Sequence, residues 1–292
     1  MKKLVSVIIP SYNREHTILR AVNSVLNQTY KHIEIIIVDD CSSDNTNEIV
    51  SREFGNNSKV IFHRLDNNLG ACHARNKGIE LSHGDYIAFL DSDDEYLPKK
   101  IEKQLLILEK TGADLCASDY LKIGKDGKAT IIQTYDSPEF LPDLLYLNQV
   151  TTGTLIGKRR CFVDTCFDES LPRYQDWDLV LRLAKKYSFC FLKENTLIQY
   201  FQPVSITNST NHHKTYVALS TIFRKNRDEY ILHPRGYSQI MWLIGLHSLY
   251  KKEDRCLGAL WKGVTENGFS IRRFLIYILI ICGNRFLIDH YV

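Results

Sequence analysis

The fold of this chain is decided by the stretch Tyr86-Ile87-Ala88-Phe89-Leu90-Asp91-Ser92-Asp93-Asp94. Its first five residues are apolar and predict a short strand that is buried on both faces. The acidic cluster stands at the carboxyl end of this strand, where open α/β sheets place their ligands. Carboxylates with Asp-x-Asp spacing are hard oxygen ligands that suit Mg²⁺ or Mn²⁺ on a diphosphate. An acidic turn that caps the helix after Pro98 would give the same pattern, so the neighbouring segments must decide.

Strand and helix patterns alternate through the first hundred residues. Apolar strands are predicted at 4–9, 33–38, 60–62 and 86–90, and helices at 17–26, 45–54 and 72–81. Strands that are apolar throughout, each followed by a helix, are typical of a parallel sheet that is covered on both faces. No G-x-G-x-x-G motif follows the first strand, so the sequence does not favour the dinucleotide-binding form of this architecture.

The pattern becomes less regular after a helix predicted at 97–110. Shorter strands are predicted at 115–118, 129–133, 154–156, 189–192 and 196–200, with a helix at 177–186. We therefore predict one α/β domain over residues 1–210, made of the halves 1–110 and 111–210. Residues 211–292 are predicted to form a helical extension.

Composition excludes several classes of protein. The 292 residues are 44% hydrophobic and 24% charged, which is typical of a soluble globular protein. A net charge of +3 is too small to predict nucleic-acid binding. The eight cysteines form no C-x-x-C pair, and several lie in apolar stretches, so we predict reduced thiols in a cytoplasmic protein. The first apolar run ends at Pro10 and is too short for a secretory signal.

Polar side chains also follow the first two predicted strands. Tyr12 comes just after the first strand, where its ring could stack on a nucleobase. Asp40 ends the second strand and is placed to accept a hydrogen bond from a base imide or a ribose hydroxyl. Asp39 suits a hydrogen bond within the turn, and Ser43 or Asp44 suits the N-cap of the next helix.

Two arginines have predicted carboxylate partners. Arg75 suits phosphate oxygens through its planar fork, or an ion pair with Asp40 or Asp91. Either alternative places Arg75 in the cleft at the end of the strands. Asp178 and Arg182 stand four residues apart on one predicted helix, and this spacing predicts a structural ion pair.

Five motifs occur in order: VSVIIPSYNR at residues 5–14, SVLNQTY at 24–30, IVDDCSSDNT at 37–46, NLGACHARNKG at 68–78 and AFLDSDD at 88–94. Together they resemble the donor-side motifs of family 2 glycosyltransferases, which have the GT-A fold. The later stretches FDESLP, at 167–172, and QDWDLVLRL, at 175–183, resemble the acceptor-side signature of the same family. The resemblance covers roughly residues 4–205 and is specific for the family.

The resemblance implies a mostly parallel central sheet with helices on both faces. Residues 1–110 would bind the nucleotide and residues 111–210 the acceptor. Nucleotide-sugar binding would fall to Pro10, Tyr12, Asp40, Arg75, Asp91 and Ser92. Asp93, together with Asp91, would coordinate Mn²⁺ or Mg²⁺, and Asp176 would act as the general base.

Two positions depart from the family pattern. Family members more often have Glu where this chain has Gln175. Relatives often carry an Arg and a His near the diphosphate in the stretch that corresponds to residues 199–205. Here Gln202 stands where the His is expected, which argues against a metal or phosphate contact from this stretch.

The end of the extension holds the apolar run Phe274-Leu275-Ile276-Tyr277-Ile278-Leu279-Ile280-Ile281-Cys282. It is well short of the ~20 residues that span a bilayer. Arg272 and Arg273 precede it and Arg285 follows it, a pattern typical of a helix that lies among lipid headgroups. We predict this membrane contact; a helix docked on the protein itself and a dimer contact are the alternatives.

The resemblance implies an inverting, metal-dependent glycosyltransferase that transfers glucose, galactose or an N-acetylhexosamine from a UDP-sugar to a hydroxyl, forming a β-glycosidic bond. The expected acceptor is an oligosaccharide, most specifically an undecaprenyl-diphosphate-linked intermediate of O-antigen, capsule or exopolysaccharide synthesis, at the cytoplasmic face of the inner membrane. Alternatives are a lipooligosaccharide or teichoic-acid glycosyltransferase, and a catalytically silent partner in a polysaccharide assembly complex. A nucleotidyltransferase is disfavoured because residues 10–13 are not a Gly-rich basic loop. The sequence leaves the oligomeric state open.

Overall fold

The computed structural model describes residues 3–202, 211–249 and 256–281 of the chain. Within these residues one mixed sheet contains the strands β1 (Val5–Ser11), β2 (Ile33–Asp39), β3 (Val60–Arg64), β4 (Tyr86–Phe89), β5 (Glu95–Tyr96), β6 (Leu115–Ile123), β7 (Ala129–Ile132), β8 (Ile156–Lys158) and β9 (Phe189–Tyr200). Their order is β3-β2-β1-β4-β8-β6-β9-β5, and β7 pairs with β6 beside this path.

The amino-terminal half of the sheet is parallel. Strands β3, β2, β1 and β4 are parallel neighbours. The intervening helices are α1 (Ile18–Leu26), α2 (Thr46–Phe54) and α3 (Ala71–Leu81). Predicted and observed ends of these elements differ by at most two residues, so the prediction of an alternating α/β unit is confirmed.

Helices cover both faces of this sheet. Val7 and Ile9 of β1 are fully buried in a cluster that also contains Ile18 of α1. The intervening residue Ile8 points to the other face, where α3 packs so closely that a Cβ at Gly78 would lie 2.3 Å from the Ile8 Cγ2 atom. Only glycine allows this approach between helix and strand. The predicted α/β class is therefore confirmed.

The second half of the sheet is mixed. Strand β8 runs antiparallel to β4 and β6, whereas β9 is parallel to β6 and antiparallel to β5. The prediction of two strands at 189–192 and 196–200 was wrong, because β9 is continuous. Polar residues 193–195 break its apolar pattern, but pairing with β6 resumes after register shifts beside Asp119.

Helices α4 (Lys100–Thr111), α5 (Leu141–Tyr146), α6 (Arg159–Asp164) and α7 (Gln175–Ala184) complete the first two hundred residues. The sequence did not predict β5, α5 or α6. Each has six residues or fewer, too few to establish a helix or strand period.

The chain divides into two compact units. The first comprises residues up to 138, 149–169 and 176–203, and it contains the whole sheet. The second comprises 139–148, 170–175 and the residues from 204 onward. Its C-terminal helices are α8 (His212–Lys225), α9 (Arg227–Leu232), α10 (Pro234–Ser248), α11 (Cys256–Thr265) and α12 (Ile271–Ile281), so the predicted helical extension is confirmed. The predicted boundary at residue 210 lies outside the described residues.

Helix α12 is docked on the second unit along one face. Phe274 and Tyr277 pack against Trp261 of α11, at ring-centroid distances of 6.4 and 5.4 Å. Arg273 donates hydrogen bonds to the Ser238 hydroxyl (2.7 Å) and the Gly263 carbonyl (2.8 Å). Arg273 is thus bonded to its own protein, not placed for the predicted headgroup contact. Cys282 and Arg285 lie outside the described residues.

The opposite face of α12 is exposed and apolar. Ile271, Leu275 and Ile278 follow each other at helical spacing, with relative exposures of 68%, 56% and 39%. Only one face of α12 is therefore covered within this unit. Among the described helices, none has both the length and the hydropathy needed to cross a bilayer.

Candidate active site

The acidic loop, residues 91–94, leaves the carboxyl end of β4 beside the end of β1. The Leu90 amide donates to the Ile8 carbonyl (3.0 Å), and the Tyr96 hydroxyl donates to the Phe89 carbonyl (2.5 Å). Asp94 is buried and accepts a hydrogen bond from the Tyr200 amide (3.1 Å). Burial, followed by the charges of Asp91 and Asp93, raises the pKa of Asp94 well above its ordinary value.

Arg75 forms an ion pair with Asp91, not with Asp40. Its Nη2 lies 2.6 Å from Asp91 Oδ1, and its guanidinium lies 5.3 Å from the centre of the Phe167 ring. Burial alone would lower the pKa of Arg75, but the charge and hydrogen bond of Asp91 outweigh burial and raise it. The Arg75 Nε is buried and has no hydrogen-bond partner among the described residues. Both predicted alternatives for Arg75 are thus compatible with this position: the ion pair, and a free donor for a phosphate oxygen.

Asp93 faces two arginines, Arg14 and Arg20, that were not predicted as site residues. Arg14 Nη2 lies 3.4 Å from Asp93 Oδ2, and Arg20 Nη2 donates to the Asp93 main-chain carbonyl. Burial and the neighbouring Asp91 raise the pKa of Asp93, and Arg14 opposes them. Arg14 could have been found because it ends the first motif. Arg20 could not, because it lies outside the residues around the motif ends and its hydrogen-bond partner, Asp93, is 73 residues away along the chain.

The donor set fits a divalent ion that takes its other ligands from a substrate. Among the described residues no group of three or more His, Cys, Asp or Glu side chains is arranged to hold a metal ion. Burial and then the charge of Asp91 nevertheless raise the pKa of Asp93, and a cation between the two carboxylates would relieve their repulsion. Mg²⁺ is usually bound by one or two carboxylates together with substrate phosphates and water. Two carboxylates are therefore a suitable protein contribution.

The predicted base-binding residues lie at the ends of β1 and β2, which are neighbours. Tyr12 is 44% exposed, so its ring is accessible for stacking. Asp40 is buried, and its two carboxylate oxygens accept hydrogen bonds from the Leu69 amide (2.7 Å) and the Gly70 amide (2.8 Å). A carboxylate has further lone pairs, so a third donor remains possible.

Other residues of these motifs have structural contacts. Pro10 and Ser92 are buried, Pro10 within β1 and Ser92 within the acidic loop. Asp39 Oδ2 accepts a hydrogen bond from the Ser42 amide (2.9 Å), so it stabilises the turn as predicted. Asp44 Oδ1 accepts one from the amide of Thr46, the first residue of α2 (3.0 Å). The N-cap position itself is Asn45, so the prediction of Ser43 or Asp44 as the N-cap was wrong.

Asp176 lies in the first turn of α7, where the Trp177 amide donates to its Oδ1 (2.8 Å). Burial, with a smaller contribution from Asp91, raises the pKa of Asp176 to about 6, although the Trp177 amide and Arg75 oppose this. A carboxylate with this pKa is ionised at neutral pH and is a much better proton acceptor than an ordinary aspartate. Asp91, Arg75 and Asp176 are thus close enough to influence one another electrostatically.

Asp178 and Arg182 form the structural ion pair that the sequence predicts. Arg182 Nη2 lies 2.7 Å from Asp178 Oδ2, and the Asp178 side chain is fully buried. Trp177, between the two aspartates, is also buried. Asp176 and Asp178, two residues apart on α7, therefore have different environments. Asp178 already has a cationic partner of its own.

Comparisons with known proteins show which family the chain resembles. The profile described as "Glycosyl transferase family 2" matches residues 6–159. WcaA of Escherichia coli (strain K12), named as a putative colanic acid biosynthesis glycosyl transferase, is 32% identical in an alignment of 248 positions that covers 78% of this chain and 82% of WcaA. TuaG of Bacillus subtilis (strain 168), named as a putative teichuronic acid biosynthesis glycosyltransferase, is 37% identical over 163 residues, 56% of this chain.

The chain spans 26% to 63% of the length of several curated relatives, TuaG included. Among solved structures, residues 1–349 of TarS from S. aureus in complex with UDP-GlcNAc superpose with a TM-score of 0.66 at 18% identity, over 90% of this chain and 81% of that one. At this identity the likeness concerns the fold, which is the expected GT-A fold. The chain belongs to glycosyl transferase family 2.

Proposed function

We propose that this protein is an inverting, metal-dependent glycosyltransferase that uses a UDP-sugar. The proposal is carried by the ion pair of Arg75 with Asp91, which stands beside Asp93. Both partners of this pair act electrostatically on Asp176, whose pKa is about 6. In the order Arg75, Asp91, Asp93 and Asp176, these four residues divide into two roles. The first three residues suit a donor diphosphate, and the fourth suits an acceptor hydroxyl. The UDP-GlcNAc bound to TarS, which shares the fold, supports a uridine nucleotide.

In the proposed reaction, Asp176 takes the proton of an acceptor hydroxyl while that oxygen forms a bond to the anomeric carbon. The bond from this carbon to the diphosphate breaks, and its electron pair leaves with the nucleotide. Arg75 stabilises the charge that develops there. A Mn²⁺ or Mg²⁺ held by Asp91 and Asp93 would neutralise more of it. Attack opposite the leaving group inverts the centre, so an α-linked donor gives a β-glycoside.

We propose as acceptor a lipid-linked oligosaccharide, such as an undecaprenyl-diphosphate-linked intermediate of a bacterial surface polysaccharide. The names of WcaA and TuaG, which refer to colanic acid and teichuronic acid biosynthesis, support this class of product. Transfer would take place on the cytoplasmic face of the inner membrane. Glucose, galactose and an N-acetylhexosamine are the candidate sugars.

A donor screen tests the proposal. The protein is incubated with UDP-glucose, UDP-galactose and UDP-N-acetylglucosamine, each with and without Mn²⁺, and with lipid-linked oligosaccharides extracted from a polysaccharide-producing bacterium. We expect UDP release with one donor, dependent on both Mn²⁺ and acceptor. A protein that binds UDP but releases none from any of the three would instead be a catalytically silent partner, the rival function.

The exposed face of α12 supports a proposed contact with the membrane surface. Ile271, Leu275 and Ile278 form an apolar row, and the exposed apolar side chain of Trp261 lies on the neighbouring α11. Aromatic and aliphatic side chains of this kind enter the headgroup boundary of a bilayer, and each buried leucine contributes about 1.5–3 kcal/mol. Because Arg273 is bonded internally, this apolar burial would be the main source of affinity.

We expect Leu275→Glu to weaken binding to phosphatidylglycerol vesicles at least about tenfold, because a charge replaces a membrane-facing leucine. Flotation of the full-length protein with vesicles measures this. Ile131→Glu, at a similarly exposed site of β7, is the matched control and should bind as the wild type does. If Leu275→Glu floats normally but dissociates a dimer in sedimentation, α12 is a dimer contact and the membrane proposal is wrong.

A further inference from the structure

We infer that Arg20 is a positioning residue for the diphosphate end of the donor site. In this role it fixes the acidic loop against the end of β9 and supplies positive charge there. The inference deepens the proposed function and rests on it.

Arg20 joins three elements. It extends from α1, and its Nη2 donates to the Asp93 carbonyl in the acidic loop. Its guanidinium carbon lies 3.9 Å from the centre of the Tyr200 ring, at the end of β9. The contact with Asp93 holds the loop main chain directly beside the carboxylate that would bind the metal.

Tyr200 is itself bonded to the acidic loop and its neighbour. Its amide donates to Asp94 Oδ1 (3.1 Å), and its hydroxyl donates to Glu95 Oε2 (2.9 Å). Tyr200 is therefore held through both its main chain and its hydroxyl, so its ring presents a fixed surface to Arg20. A planar guanidinium can stack on such a ring and still donate hydrogen bonds at its edge, which an ammonium group cannot do in the same way.

Arg20 differs from its two neighbouring arginines in the group that its guanidinium faces. Arg75 and Arg14 each face a carboxylate, Asp91 and Asp93, whereas the hydrogen bond of Arg20 goes to a neutral carbonyl. The Arg20 guanidinium lies against the main chain of Asp93 and over the ring of Tyr200, so its positive charge stands at the acidic loop. It would equally attract an anion bound in front of the loop.

The end of β9 carries no positive charge of its own. Residues 199–202 are Gln-Tyr-Phe-Gln and contain no cationic side chain. Arg20 lies over the ring of Tyr200, so α1 supplies positive charge at a place where β9 has none.

Binding of two nucleotides separates this role from a general effect on the fold. UDP carries the second phosphate and UMP does not, so both are titrated in Mn²⁺ by calorimetry against the full-length protein. We expect Arg20→Met to weaken UDP binding about tenfold while UMP binding stays within about twofold. Arg20→Lys keeps the charge without the stacking plane and should fall between the two. Arg52→Met, at an exposed arginine of α2, is the matched control.

The inference would be overturned if Arg20→Met bound UDP as tightly as the wild type does. It would also be overturned if the variant lost affinity for UDP and for UMP by the same factor. The second result would show that Arg20 only supports the fold, and Tyr200→Leu should then also weaken both nucleotides. If Arg20→Met does not fold, as judged by its circular dichroism, the same UDP-to-UMP comparison with Arg20→Lys decides. A wild-type protein that binds neither nucleotide would overturn the proposed function itself.

Discussion

Replacing Asp93 with alanine should abolish sugar transfer while leaving the fold intact. Asp93 would hold the ion that neutralises the departing diphosphate, and ions in such sites contribute several kcal/mol, which corresponds to about 10³-fold or more in rate. The residue lies in a loop whose carboxylates repel each other, so its removal should not lower the melting temperature. UDP release in the presence of acceptor and Mn²⁺ measures the effect.

The matched control for this experiment is Asp126→Ala. Asp126 lies in the exposed turn between β6 and β7, where its side chain is 59% exposed and pairs with Lys128. Asp126→Ala also removes one carboxylate, but far from the acidic loop, and the variant should transfer sugar at the wild-type rate. Full wild-type activity in EDTA would contradict the metal assignment, and normal turnover by Asp93→Ala would contradict the role of the residue.

Asp176→Asn should reduce turnover by ~10²–10⁴-fold, the usual contribution of a general base. The amide keeps the shape of the side chain but cannot accept the proton. UDP affinity should hardly change, because this carboxylate is assigned to the acceptor and not to the nucleotide. A variant that turns over within a few-fold of wild type would show that another group takes the proton.

The pH dependence gives a second, independent readout of Asp176. Its pKa of about 6 predicts that kcat/KM of the wild type falls about tenfold per pH unit below pH 6, as the base becomes protonated. Asp176→Asn should lack this acid limb. Because the folded state binds this proton more tightly than the unfolded state, Asp176 stabilises the fold at low pH, and this contribution is lost as the pH rises through about 6. The Asn variant should therefore melt no lower than wild type at pH 8.

Asp178→Asn is the contrasting variant on the same helix. It removes the buried partner of Arg182 and should lower the melting temperature, since breaking a buried ion pair leaves a charge without compensation. Its acid limb should stay near pH 6. If both variants shift the acid limb alike, the limb does not report Asp176.

The sequence predicted those parts of the fold that depend on local pattern. Apolar runs such as β2, buried along nearly all its length, identify a strand without reference to any distant residue. The continuity of β9 was missed because the polar residues 193–195 break its apolar pattern, whereas the strand continues past them and pairs again with β6 after register shifts. The same distinction holds in the site. Asp91, Asp93 and Asp176 are in motifs, whereas the choice of Asp91 over Asp40 as partner of Arg75 depends on how α3 lies on the sheet.

The close approach of α3 to β1 has a mechanical consequence. Gly78 lies three residues after Arg75, so both stand on nearly the same side of the helix. The distance between helix and sheet at Gly78 therefore also sets the height at which the Arg75 guanidinium meets Asp91, 2.6 Å away. A methyl group at Gly78 would push against the stiff, branched side chain of Ile8 and tilt the helix outward. Gly78, which has no side chain, therefore fixes the spacing between α3 and the sheet, and this spacing in turn sets where the positive charge of Arg75 stands relative to Asp91.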